Sequence, residues 1–207
     1  MQLWKKALAA VTAGVLCLGS VGISGVQSVL ESVGTMLSAS AKVPEVYDGT
    51  YGDLYYFITY NDDFEEVIAI SGCNEDAVSV EIPTEIDGKP VTSIEKMAFS
   101  GCTSLTAITI PDSVTSIGDS AFSNCTSLIE ITIPDSVTGI EEYAFSGCTS
   151  LTAITIPDSV TNIGVGVFFD CTSLTEITIP DSVTSIGYTA FCGCTSLTEI
   201  TIPDGVT

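Results

Sequence analysis

The phrase C-T-S-L-x-x-I-T-I-P-D occurs five times, starting at Cys102, Cys125, Cys148, Cys171 and Cys194, always 23 residues apart. A fixed period of this length marks a solenoid, in which one small structural unit stacks on copies of itself. The period sets the architecture before any single residue is weighed. It also restricts function to what a repetitive surface can do.

Within one unit, Val114, Ile117, Phe122, Leu128, Ile131 and Ile133 are the large apolar positions, with the smaller Ala121 and Cys125 between them. Later copies keep the same columns, for instance Val137, Ile140, Ala144, Phe145, Cys148, Leu151, Ile154 and Ile156. The Ile-Thr-Ile stretch alternates apolar and polar, as a strand with one buried face does. The Pro that follows ends the strand, because it has no N–H to donate to a ladder. The short stretch from Ala-Phe to Cys is expected to form one helical or 3₁₀ turn. A single unit cannot bury enough apolar surface to fold alone, so burial and backbone bonds shared between copies must hold the array together.

The full pattern, C-x-x-L-x-x-I-x-I-P-x-x-V-x-x-I-x-x-x-A-F-x-x-C, resembles the leucine-rich repeats of the BspA-like type, and residues 91–207 match it throughout. Cys, Pro and Ala-Phe in fixed register make the resemblance specific. One departure is Val167, which stands where Ala precedes Phe in the other copies. The resemblance implies an α/β leucine-rich-repeat fold. That fold is a horseshoe or a flatter solenoid, with a parallel sheet of short strands on one side and short helical or 3₁₀ turns opposite. It also implies a bacterial surface or secreted protein that attaches to host matrix, other cells or polymers.

The first residues fit a secreted chain. Lys5 and Lys6 precede an apolar run from Ala7 to about Ile23, and Ala39-Ser40-Ala41 offers a small-residue cleavage site. Residues 1–41 therefore read as a signal peptide, with an uncleaved anchor as the competing reading. Cleavage after Ala41 leaves Lys42, Lys89 and Lys96 as the only basic residues, and the whole chain carries a formal charge of −21. So acidic a surface repels nucleic acid and anionic lipid. No membrane insertion is expected once the leader is removed.

Downstream of the cut lie Cys73, Cys102, Cys125, Cys148, Cys171, Cys192 and Cys194. The count is odd, and Cys102, Cys125, Cys148, Cys171 and Cys194 share the repeat period. A buried ladder of small apolar thiols accounts for that spacing. Disulfides remain open as an alternative, because neighbouring coils at about 4.8 Å lie within the Cα range of a bridge. Cys73 has no assigned partner, and Cys192 stands where other copies have Ser, beside Cys194.

Residues 42–90 differ in kind. Leu54–Tyr60, Val67–Ser71 and Val78–Ile82 read as strands, with Asn61-Asp62-Asp63 as a turn. The segment is expected to be an N-terminal β cap merging into a degenerate first repeat. Tyr47, Tyr51, Tyr55, Tyr56 and Tyr60 could alternatively form a sugar-binding platform. At the other end the sequence stops in mid-repeat at Thr207, which suggests a fragment of a longer protein or an end covered by a partner. An uncapped last coil would be open to stacking end to end on a second copy.

Catalytic groups are scarce. Without His, Ser-His-Asp and Cys-His arrangements cannot be built. Gly164-Val165-Gly166 is a repeat variant rather than a nucleotide loop, and Glu141-Glu142 and Asp62-Asp63 lie on expected surface or turns. No enzyme activity, cofactor or metal is expected. The Asp112, Asp135, Asp158, Asp181 and Asp204 column either caps its own turns or forms a carboxylate ladder for a cation. The outward strand face carries Thr109, Thr132, Thr155, Thr178 and Thr201, with Glu130, Glu176 and Glu199 beside them. Tyr143, Phe169 and Tyr188 break the pattern elsewhere. Those three aromatics and the three glutamates are the candidate ligand-binding residues. The expected function is a secreted or cell-surface adhesion module for an extracellular protein or polysaccharide. The alternative is a rigid spacer presenting a C-terminal domain absent from this chain.

Overall fold

The structure, a computed structural model, describes residues 47–207. The signal peptide expected over residues 1–41 lies outside them. The chain first forms an antiparallel meander of β1 (Gly49–Tyr51), β2 (Leu54–Tyr60) and β3 (Glu66–Cys73). It then enters the solenoid through β4 (Ser79–Glu81), β5 (Glu85–Ile86) and β6 (Lys89–Ile94). Each later coil adds one three-residue and one two-residue strand. These are β7 (Ala107–Thr109) and β8 (Ser116–Ile117), β9 (Glu130–Thr132) and β10 (Gly139–Ile140), β11 (Ala153–Thr155) and β12 (Asn162–Ile163), and β13 (Glu176–Thr178) and β14 (Ser185–Ile186).

Two sheets result. One is five-stranded, in the order β13-β11-β9-β7-β4, and parallel throughout. The other runs β1-β2-β3-β6-β8-β10-β12-β14, with β5 paired to β6. Its junction is β3, which pairs antiparallel with β2 and parallel with β6. The repeat ladder thus begins at β4, and the meander continues one of its sheets.

The expectation of an α/β fold with helical or 3₁₀ turns and a sheet on one side is corrected here. Among the described residues there is no helix, and the molecule is a β-solenoid with parallel sheets on two sides of each coil. The reason lies in the corner that contains Ala-Phe. Alternate N–H groups there leave the turn: Ser120, Phe122 and Asn124 donate to the carbonyls of Glu142, Ala144 and Ser146 in the next coil. Those between them stay local, with Ala121 N–H bonding Gly118 O and Ser123 N–H bonding Ser120 O. The next corner repeats this through Tyr143, Phe145 and Gly147. Left-handed φ values at Ser120 (54°) and Asn124 (59°), and at Tyr143 (56°) and Gly147 (73°), turn the chain for this pattern. A helix needs right-handed φ at every residue and directs its N–H groups along its own axis.

The remaining corner of each coil is Pro-Asp-Ser-Val, closed by a bond from the Val N–H to the Pro carbonyl, as at Val114 and Pro111 or Val137 and Pro134. The Asp side chains of this column are exposed and make no hydrogen bond or ion pair with another described residue, so they do not cap their turns.

The core is a set of stacked columns. Phe99, Phe122, Phe145, Phe168 and Phe191 lie ring over ring, with centroids 5.1, 5.3, 5.8 and 5.6 Å apart and planes within 11° of parallel. Beside them Cys102, Cys125, Cys148, Cys171 and Cys194 are all buried. The Sγ of Cys125 donates to Phe99 O at 3.0 Å, and those of Cys148, Cys171 and Cys194 donate to Phe122, Phe145 and Phe168 O at 3.1 Å each. Each of these thiols therefore fills apolar space and also satisfies a carbonyl of the preceding coil.

Burial in this column pushes the Cys125 and Cys171 thiols up to about 12 and raises Cys148 well above the ordinary value. A folded-state pKa above the unfolded one means that the unfolded chain loses its protons first. Stability is then full below the ordinary thiol value and falls as pH rises from about 9 toward 12. The expected loss is about 1 kcal/mol per thiol for each pH unit in that window, read as a falling urea midpoint. At pH 8 a maleimide should label exposed Cys192 quickly and Cys125, Cys148 and Cys171 only after denaturation.

Gly187 packs tightly on the backbone of the preceding coil, where an added Cβ would lie 2.5 Å from both the Gly164 carbonyl carbon and the Val165 nitrogen. At Gly205 the nearest atom would be 3.8 Å away. Gly187→Ala is expected to destabilise the fold by about 1–3 kcal/mol, while Gly205→Ala should shift the unfolding midpoint little. Chemical denaturation of the two variants distinguishes them.

Candidate functional site

Most hydroxyl columns of the repeat hold neighbouring coils together. The Oγ1 atoms of Thr115, Thr138 and Thr184 donate to the carbonyls of Thr92, Thr115 and Thr161 at 3.2, 3.5 and 3.2 Å. Thr106, Thr152 and Thr175 donate to Val78, Ile129 and Thr152. Ser136, Ser159 and Ser182 donate to Val114, Val137 and Val160.

One column differs. Thr109, Thr132, Thr155 and Thr178 stand in register on β7, β9, β11 and β13, with Glu81 of β4 at the head of the row. All five are exposed, and none uses its side chain in a bond with another described residue. The parallel row on the same face is Ser79, Ala107, Glu130, Ala153 and Glu176. The middle residue of every strand, such as Ile131 or Ile154, is buried. The outer face of the five-stranded sheet is therefore a flat grid of unengaged hydroxyls and carboxylates, with strands about 4.8 Å apart.

Glu130 and Glu176 lie on this grid, two strands apart. Glu199 follows in the next copy and is exposed, beyond the last strand. Glu81 was missed by sequence reasoning. Its signal was available, since Val78–Ile82 ends in Pro83 like the repeat strands and puts Glu81 in the Thr position. No strand of this sheet carries a lysine or arginine. Among the described residues Lys89 pairs with Glu66 at 3.6 Å and Lys96 with Asp119 at 3.2 Å.

Tyr143, Phe169 and Tyr188 sit on the corner segments, away from the strands that carry the glutamates, so the six candidate residues do not form one patch. Tyr143 is 40% exposed, and its ring covers Gly166, where a Cβ would collide with it. Phe169 is half-buried, and its carbonyl accepts the Gly147 N–H. Tyr188 is 83% exposed, which leaves its ring as an open aromatic handle. In the meander, Tyr47 and Tyr55 stack at 4.8 Å and Tyr56 is buried, so the tyrosines there are divided between packing and surface.

A family model described as BspA type leucine rich repeat region matches residues 77–207 in six copies. A leucine rich repeat protein of T. pallidum is similar in structure, at 37% identity and TM-score 0.66 over 72% of this chain and 68% of that one. A Bacteroides ovatus leucine-rich repeat protein shows 33% identity and TM-score 0.60 over 77% of this chain. A leucine rich cell surface protein of Faecalibacterium prausnitzii shows 34% identity and TM-score 0.61 over 80%. The chain spans 48% and 50% of the lengths of these last two. No curated protein matches it. The matches indicate no enzymatic family and are consistent with a protein-interaction module. Six copies over residues 77–207, in a solenoid shared with solved relatives, place this chain in the BspA type leucine-rich repeat family.

Proposed function

We propose that this chain is a non-catalytic binding module, secreted or displayed on a bacterial surface, that contacts an extracellular protein or polysaccharide through the outer face of its five-stranded sheet. The observation that carries this reading is the Thr109–Thr178 column. All four of its hydroxyls are free of bonds to other described residues, whereas the Thr106, Thr115 and Ser136 columns supply bonds between coils. The description of the Faecalibacterium prausnitzii relative as a cell surface protein supports the location.

The chemistry of the face narrows the partner. Glu81, Glu130 and Glu176 give it a negative potential that favours cationic segments. A row repeating at about 4.8 Å suits an extended partner with its own short repeat. The face has no Trp, Tyr or Arg, so each contact is weak and strength comes from engaging several coils at once. In this reading the β1–β3 meander serves as a cap that covers the first coil, and Tyr188 is a second contact on another side.

A second reading is a rigid spacer, favoured by the continuous bonding between coils on three sides. The two separate on binding. Screening the full chain against matrix proteins and glycans should find a ligand in the micromolar range. The double substitution Glu130→Lys with Glu176→Lys should weaken a cationic ligand about tenfold or more at low salt, with the gap closing at high salt. The unfolding midpoint should not move, since neither side chain bonds another described residue. Failure to bind anything at high micromolar concentration, or equal affinity of the double variant, would overturn the binding reading.

A further inference from the structure

Four corner cysteines obey one rule. Cys125, Cys148, Cys171 and Cys194 each turn their Sγ onto the carbonyl of the Phe 26 residues earlier. The same step back from Cys102 reaches Asp76, within the turn closed by the Ala77 N–H on Asn74 O, where no corner Phe exists. The group that meets Cys102 is instead Cys73, the last residue of β3. Its Sγ lies 3.2 Å from the Cys102 Sγ. Both residues are buried, at 7% and 3% exposure. Cys73 belongs to no repeat column, and it stands where the antiparallel meander meets the solenoid.

We propose that Cys73 and Cys102 are a disulfide-forming pair that staples the meander to the first corner of the repeat array. A disulfide needs its sulfurs at about 2.05 Å, so they must close by about 1 Å, a distance within reach of side-chain rotation. The oxidant is a small-molecule disulfide. One cysteine thiolate attacks a sulfur of that disulfide and expels the first small thiol. The second cysteine then attacks the resulting mixed disulfide and releases the other. Two protons leave the protein, and two electrons reduce the donor to two thiols.

The surroundings govern when this happens. In the folded, reduced chain the Cys73 thiol is held far above the ordinary range, first by its bond to Cys102 and then by burial. The attacking thiolate is therefore scarce once the junction has closed, so the bridge forms while the chain folds. After formation the same burial shields it from reductants. It links positions 29 residues apart and restricts the unfolded chain across the junction.

The test is oxidative refolding of the full chain with oxidised and reduced glutathione, followed by alkylation and non-reducing peptide mapping by mass spectrometry. The expected result is a cross-linked peptide pairing Cys73 with Cys102, with Cys192 alkylated. The oxidised chain should melt roughly 5–10 °C above Cys73→Ser and Cys73→Ala, and a reductant added during unfolding should remove most of that difference. Recovery of Cys73 alkylated, or bridged to any other cysteine, overturns the proposal. So does a cross-linked chain whose midpoint equals that of the variants. The mapping uses the unaltered chain and stands even where a Cys73 variant folds poorly.

Discussion

Backbone bonding between successive coils is the constraint on which the rest of this structure depends. It runs along three sides of each coil: the three-residue strands, the two-residue strands and the Ala-Phe corner. The corner is the demanding side. A run of residues there must send alternate N–H groups to the next coil while the others close local turns. Left-handed φ at two positions per corner makes that possible. Gly suits such positions because it lacks a Cβ, yet the repeat also places Ser120, Asn124, Tyr143 and Asp170 in them. Bonding to the neighbouring coil offsets the local strain, which is why one coil in isolation would not hold this shape.

Close stacking then decides what each column can contain. The Phe rings repeat at the spacing of the coils because the backbone repeats there too. The Cys column lies where the Phe carbonyl, already bonded to the Cys N–H of its own coil, meets a side chain from the next. A thiol is small enough to pack in that apolar position and is also a weak donor to the carbonyl's second lone pair. Thr and Ser at the coil edges satisfy other carbonyls in the same way. The outer face of the five-stranded sheet is left with a row of hydroxyls that these commitments do not use, so the candidate surface follows from the bonding of the rest.

The period, the strands and the core columns were legible from the sequence, because Ile-Thr-Ile alternation and the fixed Cys, Leu and Phe spacings act locally. Even Leu54–Tyr60 in the meander reads as the strand it forms. The corner was not legible. Ala-Phe-x-x-Cys has the spacing of a helical turn, and only the neighbouring coil's carbonyls, a non-local partner, redirect its N–H groups. The same limit applies to the hydroxyls. Thr106, Thr109 and Thr115 are equivalent as letters, and only the coil stacking shows that Thr109 lacks a partner. The aromatic candidates stood out as departures from the pattern, but Gly166 had to be seen beneath the Tyr143 ring before that departure became packing.

Departures from the repeat rule concentrate at the junction of meander and solenoid. The Oγ of half-buried Ser113 is shielded from solvent and has no partner among the described residues, whereas Ser136, Ser159 and Ser182 at the same position each donate to a carbonyl of the previous coil. The preceding coil there carries the β5–β6 hairpin, and Val91 N–H is drawn to Thr84 O. Cys102 meets a sulfur instead of a Phe carbonyl. In an array whose stability is a sum over neighbouring contacts, an interface with fewer satisfied groups is where opening begins. The compensation at this junction is different in kind: a longer strand pairing of β2 with β3 and two sulfurs held face to face. The first coil is thus joined to the chain before it by contacts that the repeat does not supply.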